Sequence, residues 1–226
     1  MAQQGPPPPP TDFQALMDAW DSPEEDAQIA AQAADAVLAA EARFAELART
    51  IGQWRAFHAT AHVDARMFVP QEVHAVSWLA DRPDPPVAVS WQPQAVYTSC
   101  NGRAAVTTGG WHHPADGVGY FTTVWQQSHS DGWRWVVDHG DRLQTARPTP
   151  AEVTRRAASC ANFLARSTAA RHLYSSMTRR TWFSDDSSLV VEWQVGAMGE
   201  RELWVRMWNG TDYVEVIHDV VGASDR

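Results

Sequence analysis

Gly119–Asp141, GYFTTVWQQSHSDGWRWVVDHGD, is the stretch whose reading decides the fold. Two runs of β-branched and aromatic residues flank Asp131-Gly132, a pair that tolerates the positive φ of a tight hairpin turn. The pattern predicts a long antiparallel hairpin. With Asp131 and Gly132 as a two-residue loop, one face collects Phe121, Thr123, Trp125, Gln127, Val136 and Asp138. The other collects Tyr120, Thr122, Val124, Gln126, Trp133, Trp135, Val137 and His139. Both faces carry large apolar groups, so the ribbon needs cover on both sides, and the rest of the chain has to supply it.

Composition bounds what that chain can be. Its 226 residues suffice for one large domain or two small ones. A content of 44% hydrophobic and 20% charged residues is ordinary for a globular protein. Twelve tryptophans are not ordinary, and each buried indole N–H needs an acceptor. The net charge of −9 argues against nucleic acid or an anionic membrane as partner, because phosphate binding needs concentrated positive charge. All 18 basic residues are arginine, which excludes Schiff-base and P-loop lysine chemistry. No apolar run reaches about 18 residues, so no membrane insertion is expected. The opening MAQQGPPPPP lacks the basic and apolar regions of a signal peptide. The expected location is therefore cytoplasmic, with periplasmic or secreted as the alternatives. Cys100 and Cys160 are read as free thiols; they would pair only in an oxidising compartment.

Residues 1–21 read as a disordered, Pro-rich tail, extended through Pro6–Pro10. Ser22-Pro23-Glu24-Glu25 is a helix start, with a capping serine, proline at the first helical position and a closing glutamate. Ile29, Ala33, Val37, Ala40, Phe44, Leu47, Ile51, Trp54 and His58 then form one helical stripe. Gly52 interrupts it, predicting one helix to about residue 50 and a second to about residue 62. Residues 64–70 read as extended and 71–81 as a third helix, broken by Arg82-Pro83-Asp84-Pro85-Pro86. Strands follow over 87–100 and 103–112 with a turn at Asn101-Gly102, then the opening hairpin. Thr149-Pro150-Ala151-Glu152 repeats the capping signature and predicts a helix from Pro150 into the Leu164–His172 region. Strands are expected over 181–183, 189–195, 202–208 and 213–219.

This order gives an α+β fold, in which helices packed on a strongly curved antiparallel sheet would enclose a cone-shaped cavity. Residues 22–142 form that domain, and 150–221 a C-terminal extension of one helix plus antiparallel strands. The order of elements resembles the nuclear-transport-factor-like superfamily. Three segments carry the likeness: Asp64-Ala65-Arg66-Met67-Phe68-Val69-Pro70; Trp78-Leu79-Ala80-Asp81-Arg82-Pro83-Asp84-Pro85-Pro86; and Thr122-Thr123-Val124-Trp125 with Gly132-Trp133-Arg134-Trp135-Val136-Val137-Asp138. Within that group the chain is similar to bacterial ketosteroid isomerase-like and polyketide-cyclase-like proteins. The likeness covers about residues 26–142. It implies a cone-shaped barrel in which the sheet wraps the N-terminal helices, a pocket between sheet and helices, and a homodimer formed through the outer sheet face. Catalytic members carry a tyrosine and carboxylates, or histidine and aspartate, in that pocket. Those positions do not match one by one here, so the activity is not carried over.

Two residues are candidate acid–base groups. Asp138 falls opposite Trp125 in the assumed register, and a carboxyl against an indole in a dry cavity has a raised pKa. Its alternative is a sheet-end carboxylate paired with backbone donors or an arginine. His58 continues the apolar stripe and so should point inward, as a base, a hydrogen-bond donor or a satisfied core histidine. His58 and His62 stand four apart but lack an HExxH glutamate and a third ligand, and His112-His113 with Asp116, like His129, His139 and Asp141, reads as a loop-end polar cluster. No metal and no cofactor are implied. Trp54, Phe68, Trp91, Trp111, Tyr120 and Trp125 either line a pocket for a flat apolar ligand or fill a core.

Three functions remain. The leading one is a binding protein for a small apolar or aromatic molecule. The second is an isomerase, dehydratase or cyclase acting on a carbonyl compound through Asp138 and His58. The third is a structural or interaction module filled by its own tryptophans. An empty cavity of several hundred Å³ favours the first two.

Overall fold

The computed structural model describes residues 23–128, 130–175 and 179–223. The Pro-rich tail, the capping Ser22 and His129 lie outside them. Helix α1 spans Pro23–Ile51, with Glu24, Glu25 and Asp26 in its first turn, where the helix dipole favours negative charge. Its buried stripe is Ala33, Val37, Glu41, Phe44 and Ala48, in steps of three and four. Gly52 ends it at φ 110, and the Asp84 carboxylate occupies the space that a β-carbon there would fill. That carboxylate accepts from Trp54 N at 2.6 Å and Arg55 N at 3.2 Å, so a residue thirty positions away satisfies the orphan donors of helix α2, Gln53–Thr60.

A seven-stranded sheet follows: β1 (Ala61–Phe68), β2 (Glu72–His74), β3 (Ser90–Thr98), β4 (Ala104–His113), β5 (Gly117–Ser128), β6 (Gly132–Leu143) and β7 (Thr154–Ala157), in the order β2-β1-β6-β5-β4-β3-β7. It is curved and open. It is also mixed, because β1 runs parallel to β6 and β7 parallel to β3. The expectation of a purely antiparallel sheet is corrected at those two edges. The third helix shortens to α3, Ala75–Leu79, because Glu72–His74 instead pairs with β1. The predicted helix from Pro150 begins only at α4, Phe163–Ser175. Residues 154–157 go to the open edge of β3, where their backbone groups complete a ladder that a helix would leave unpaired.

The last four strands, β8 (Arg180–Phe183), β9 (Leu189–Val195), β10 (Arg201–Trp208) and β11 (Tyr213–Val221), form a second antiparallel sheet in the order β11-β10-β9-β8. All four fall where the alternation in the sequence places them.

The opening hairpin is covered on both sides. Trp125, Trp135, Ala105 and Val96 pack with Phe44, Ala48 and Phe57 of the helices. Val106, Val124, Val136 and Val137 pack with Leu189, Val191, Leu203 and Val205 of the second sheet. The outer face that the resemblance assigns to a dimer partner is thus packed against this chain's own C-terminal strands. Cys100, just beyond β3, is disulfide-bonded to Cys160, just before α4, with Cα atoms 5.0 Å apart. The expectation of two free thiols is overturned by that bond, which links the end of β3 to the segment between β7 and α4.

Candidate functional site

Between the helices and the inner sheet face lies a cavity of about 990 Å³. Phe44 is its aromatic hinge, with edge-on rings at 4.7 Å (Phe57) and 4.8 Å (Trp91). Trp54, Phe68, Trp91, Trp111 and Tyr120, all expected at a pocket, line it. Trp111 sits across the ladder from Gly119, and its indole lies where a β-carbon at 119 would be, so only glycine admits it. Trp125 does not line the cavity. It is buried beneath it, with Nε1 donating to Glu41 Oε2 at 3.1 Å and to Thr107 Oγ1 at 3.0 Å.

Asp138 lines the cavity from β6 and accepts a 2.8 Å hydrogen bond from Thr123 Oγ1. Burial pushes its carboxyl up to about 7; the Thr123 bond opposes the shift and the nearby Glu41 charge adds to it. The register differs from the expected one. Ser128 pairs with Gly132 and Trp125 with Trp135, then the ladder shifts between Val124 and Trp125, so that Val124 faces Val137 and Thr123 faces Asp138. Val136 is the extra residue of a bulge. Trp135 therefore joins Trp125 on the inner face, while Asp138 keeps that face but faces Thr123 instead of an indole.

His58 is corrected outright. It is exposed, and it borders a separate surface depression with Arg55 and Asp81–Asp84. The Gly52 break rotates α2 relative to α1, so Gln53, Ala56 and Phe57 take the inward positions and the stripe drawn through Ile51, Trp54 and His58 does not continue. His62 lies on β1 rather than on the same helix, which removes the four-residue helical spacing. His113 Nδ1 is 2.8 Å from Asp116 Oδ2, and Asp116 also holds Arg142 at 2.6 Å: a polar cluster at one rim of the cavity.

Glu41 is the residue that sequence reasoning missed. It is 1% exposed, four residues after Val37 and three before Phe44, squarely on the apolar stripe. Three donors from the sheet converge on it: Trp91 Nε1 and Thr107 Oγ1 at 2.6 Å each, and Trp125 Nε1 at 3.1 Å. Burial raises its pKa against those three bonds. A charged residue in phase with a buried stripe was the available signal. Two carboxyls, Glu41 buried and donor-bound and Asp138 half-buried and facing the cavity, give the site an acid–base group in a largely apolar enclosure.

Among solved structures, the chain is similar to a candidate ketosteroid isomerase from Parabacteroides distasonis ATCC 8503, at 15% identity over 40% of this chain and 76% of that one, TM-score 0.33. It is also similar to a nuclear transport factor 2-like superfamily protein from Salmonella enterica subsp. enterica serovar Typhimurium str. LT2, at 14% identity over 57% of this chain and 97% of that one, TM-score 0.34. Both are of the group that the sequence resembles. No family model matches the chain, and no curated protein matches it. At such TM-scores the likeness says nothing about ligand or reaction, which rest on the cavity alone.

Proposed function

We propose that the chain is a nuclear-transport-factor-like protein that binds a small apolar or aromatic molecule between its helices and its sheet. The observation that carries this reading is the cavity of about 990 Å³, walled by Trp54, Phe57, Trp91 and Trp111 with Asp138 set among them. That volume suits a drug-sized ligand, and it is far more space than a core filled by its own tryptophans leaves. The interaction-module reading loses support for the same reason. Native mass spectrometry of the purified protein tests the proposal: a co-purified molecule of a few hundred daltons is expected. Protein that carries none, and whose tryptophan emission answers to no member of a panel of aromatic and aliphatic compounds, would sink it.

A second reading, acid–base catalysis on a carbonyl compound, is favoured by the Asp138 carboxyl near pH 7. Its carboxylate would take a proton from the carbon beside the carbonyl; the C–H electron pair would move into an enolate, and the Asp138 acid would return the proton to carbon. His58 has no part in this step. Asp138→Asn keeps an acceptor for Thr123, so it should preserve affinity while abolishing exchange of the ligand's α-protons in deuterated water, read by NMR. The disulfide supports an oxidising compartment in place of the cytoplasm.

A further inference from the structure

The cavity has a second, polar end. Strand β1 pairs with β6 only as far as Met67 opposite Asp138, and the chain then turns away with Val69 N bonded to Gln71 O. Among the described residues no strand pairs with that edge of β6 from His139 onward. The cavity follows it to the side where the C-terminal sheet packs, and Tyr120, His139, Asp141 and Arg201 line it there.

Three of these side chains are more than nine-tenths buried and incompletely satisfied: Tyr120 is 4% exposed, His139 2% and Arg201 7%. Arg201 donates to Gly140 O and, at 3.4 Å, to Gly199 O, but its Nε has no protein partner. Among the described residues the Tyr120 hydroxyl has none either, nor has either ring nitrogen of His139. Asp219 Oδ2 stands 3.7 Å from His139 Nδ1, beyond hydrogen-bonding reach, and is already held by Thr122 Oγ1 at 2.7 Å. Its other oxygen is 3.5 Å from Arg147, which lies over the Tyr120 ring. Among the described residues no carboxylate pairs with Arg201 within 4.0 Å.

Counting groups by type, Arg201 Nε–H can only donate, the Tyr120 hydroxyl can donate, and a neutral imidazole adds one N–H. Burial and the Arg201 charge hold His139 neutral, at about 3. Donors are therefore in surplus around an unpaired, buried guanidinium, an arrangement that is costly unless an oxygen-rich anion completes it. Asp141 lines the same end, and its charge limits the preference without supplying a partner.

We propose that this end of the cavity is a carboxylate subsite, with Arg201 of the C-terminal sheet as counter-ion and Tyr120 and His139 as further donors. The ligand class is then an amphipathic acid: an apolar or aromatic body under the helices and a carboxylate over that edge of β6. The inference rests on the ligand-cavity reading above and gives the C-terminal extension a part in recognition.

Calorimetric titration at pH 7.5 with 2-naphthylacetate and decanoate, each against its neutral alcohol, tests it. The unaltered protein should bind each acid at least about tenfold more tightly than the matching alcohol. Arg201→Met should erase that preference while leaving alcohol affinity within about twofold, and Arg201→Lys should retain part of it. Should Arg201→Met prove unfolded by circular dichroism, Tyr120→Phe serves instead, with a several-fold loss for the acids alone. Equal binding of acid and alcohol by the unaltered protein, or a preference that survives substitution, overturns the subsite and leaves the ligand cavity standing. Failure of all four compounds to bind removes both.

Discussion

Thr123 Oγ1 donates to Asp138 Oδ1 at 2.8 Å, straight across the β5–β6 ladder, and this bond opposes the drive of burial towards a neutral carboxyl. The raised pKa has a consequence for stability. The folded protein holds the Asp138 proton up to about pH 7, whereas the unfolded chain releases it near 3.8. Native protein binds more protons in that window, so stability falls as pH rises through it. Asp138→Asn should be close to neutral below pH 4 and should stabilise by up to a few kcal/mol above pH 7. Urea melts of both proteins at pH 4 and pH 8 measure it; an equal effect at the two pH values would contradict the raised pKa.

Glu41 should tolerate truncation badly. Glu41→Ala strands the Trp91, Trp125 and Thr107 donors in a dry interior and opens a void beside Phe44. A loss of about 3–5 kcal/mol is expected from denaturant unfolding, against about 1–2 kcal/mol for Glu41→Gln, which keeps an acceptor. A Glu41→Ala protein within 1 kcal/mol of the parent would mean that the three bonds contribute little.

The Cys100–Cys160 bond closes a loop of sequence separation 60. Chain-entropy reasoning gives it about 4 kcal/mol, so the paired Cys100→Ser and Cys160→Ser substitutions should shift the urea midpoint down accordingly. A thiol-reactive dye should label the oxidised, denatured protein at neither cysteine. Two titratable thiols in protein purified without reductant would remove the bond and the compartment it implies.

Leu203 is fully buried where the second sheet meets Val106, Val124 and Val137. Leu203→Asp places an unpaired carboxylate in that seam and should cost more than 3 kcal/mol, uncovering the outer face of the first sheet. Light scattering should then report self-association beyond that of the parent protein. A stable, non-associating variant would imply that the two sheets do not depend on each other.

The elements were legible in the residues wherever a local period was strong. The Gly52 break and the β9, β10 and β11 alternations stand where the sequence puts them; of the α1 stripe Ala33, Val37 and Phe44 are buried, whereas Ile51 is exposed. What failed was non-local. Nothing near Thr154–Ala157 announces that β3 has an edge to fill, and nothing near Glu72 announces pairing with β1. One bulge at Val136 was enough to move Trp135 to the inner face, because a strand's sides alternate and a single added residue exchanges them. Asp138 was readable because it lies beyond that bulge. His58 was misread because a helical phase does not survive a glycine at φ 110. Glu41 was visible in phase with Val37 and Phe44, whereas Arg201 reaches the cavity only through the packing of two sheets distant in sequence.

The covalent link from Cys100 to Cys160 straddles the exposed connection that runs from residue 144 to residue 152. A protease that nicks the chain there would release nothing. The halves would stay tethered, migrating as one band on a gel until a reductant is added and two fragments part. Cleavage at this connector would thus leave the two sheets seated together and the polar end of the cavity assembled.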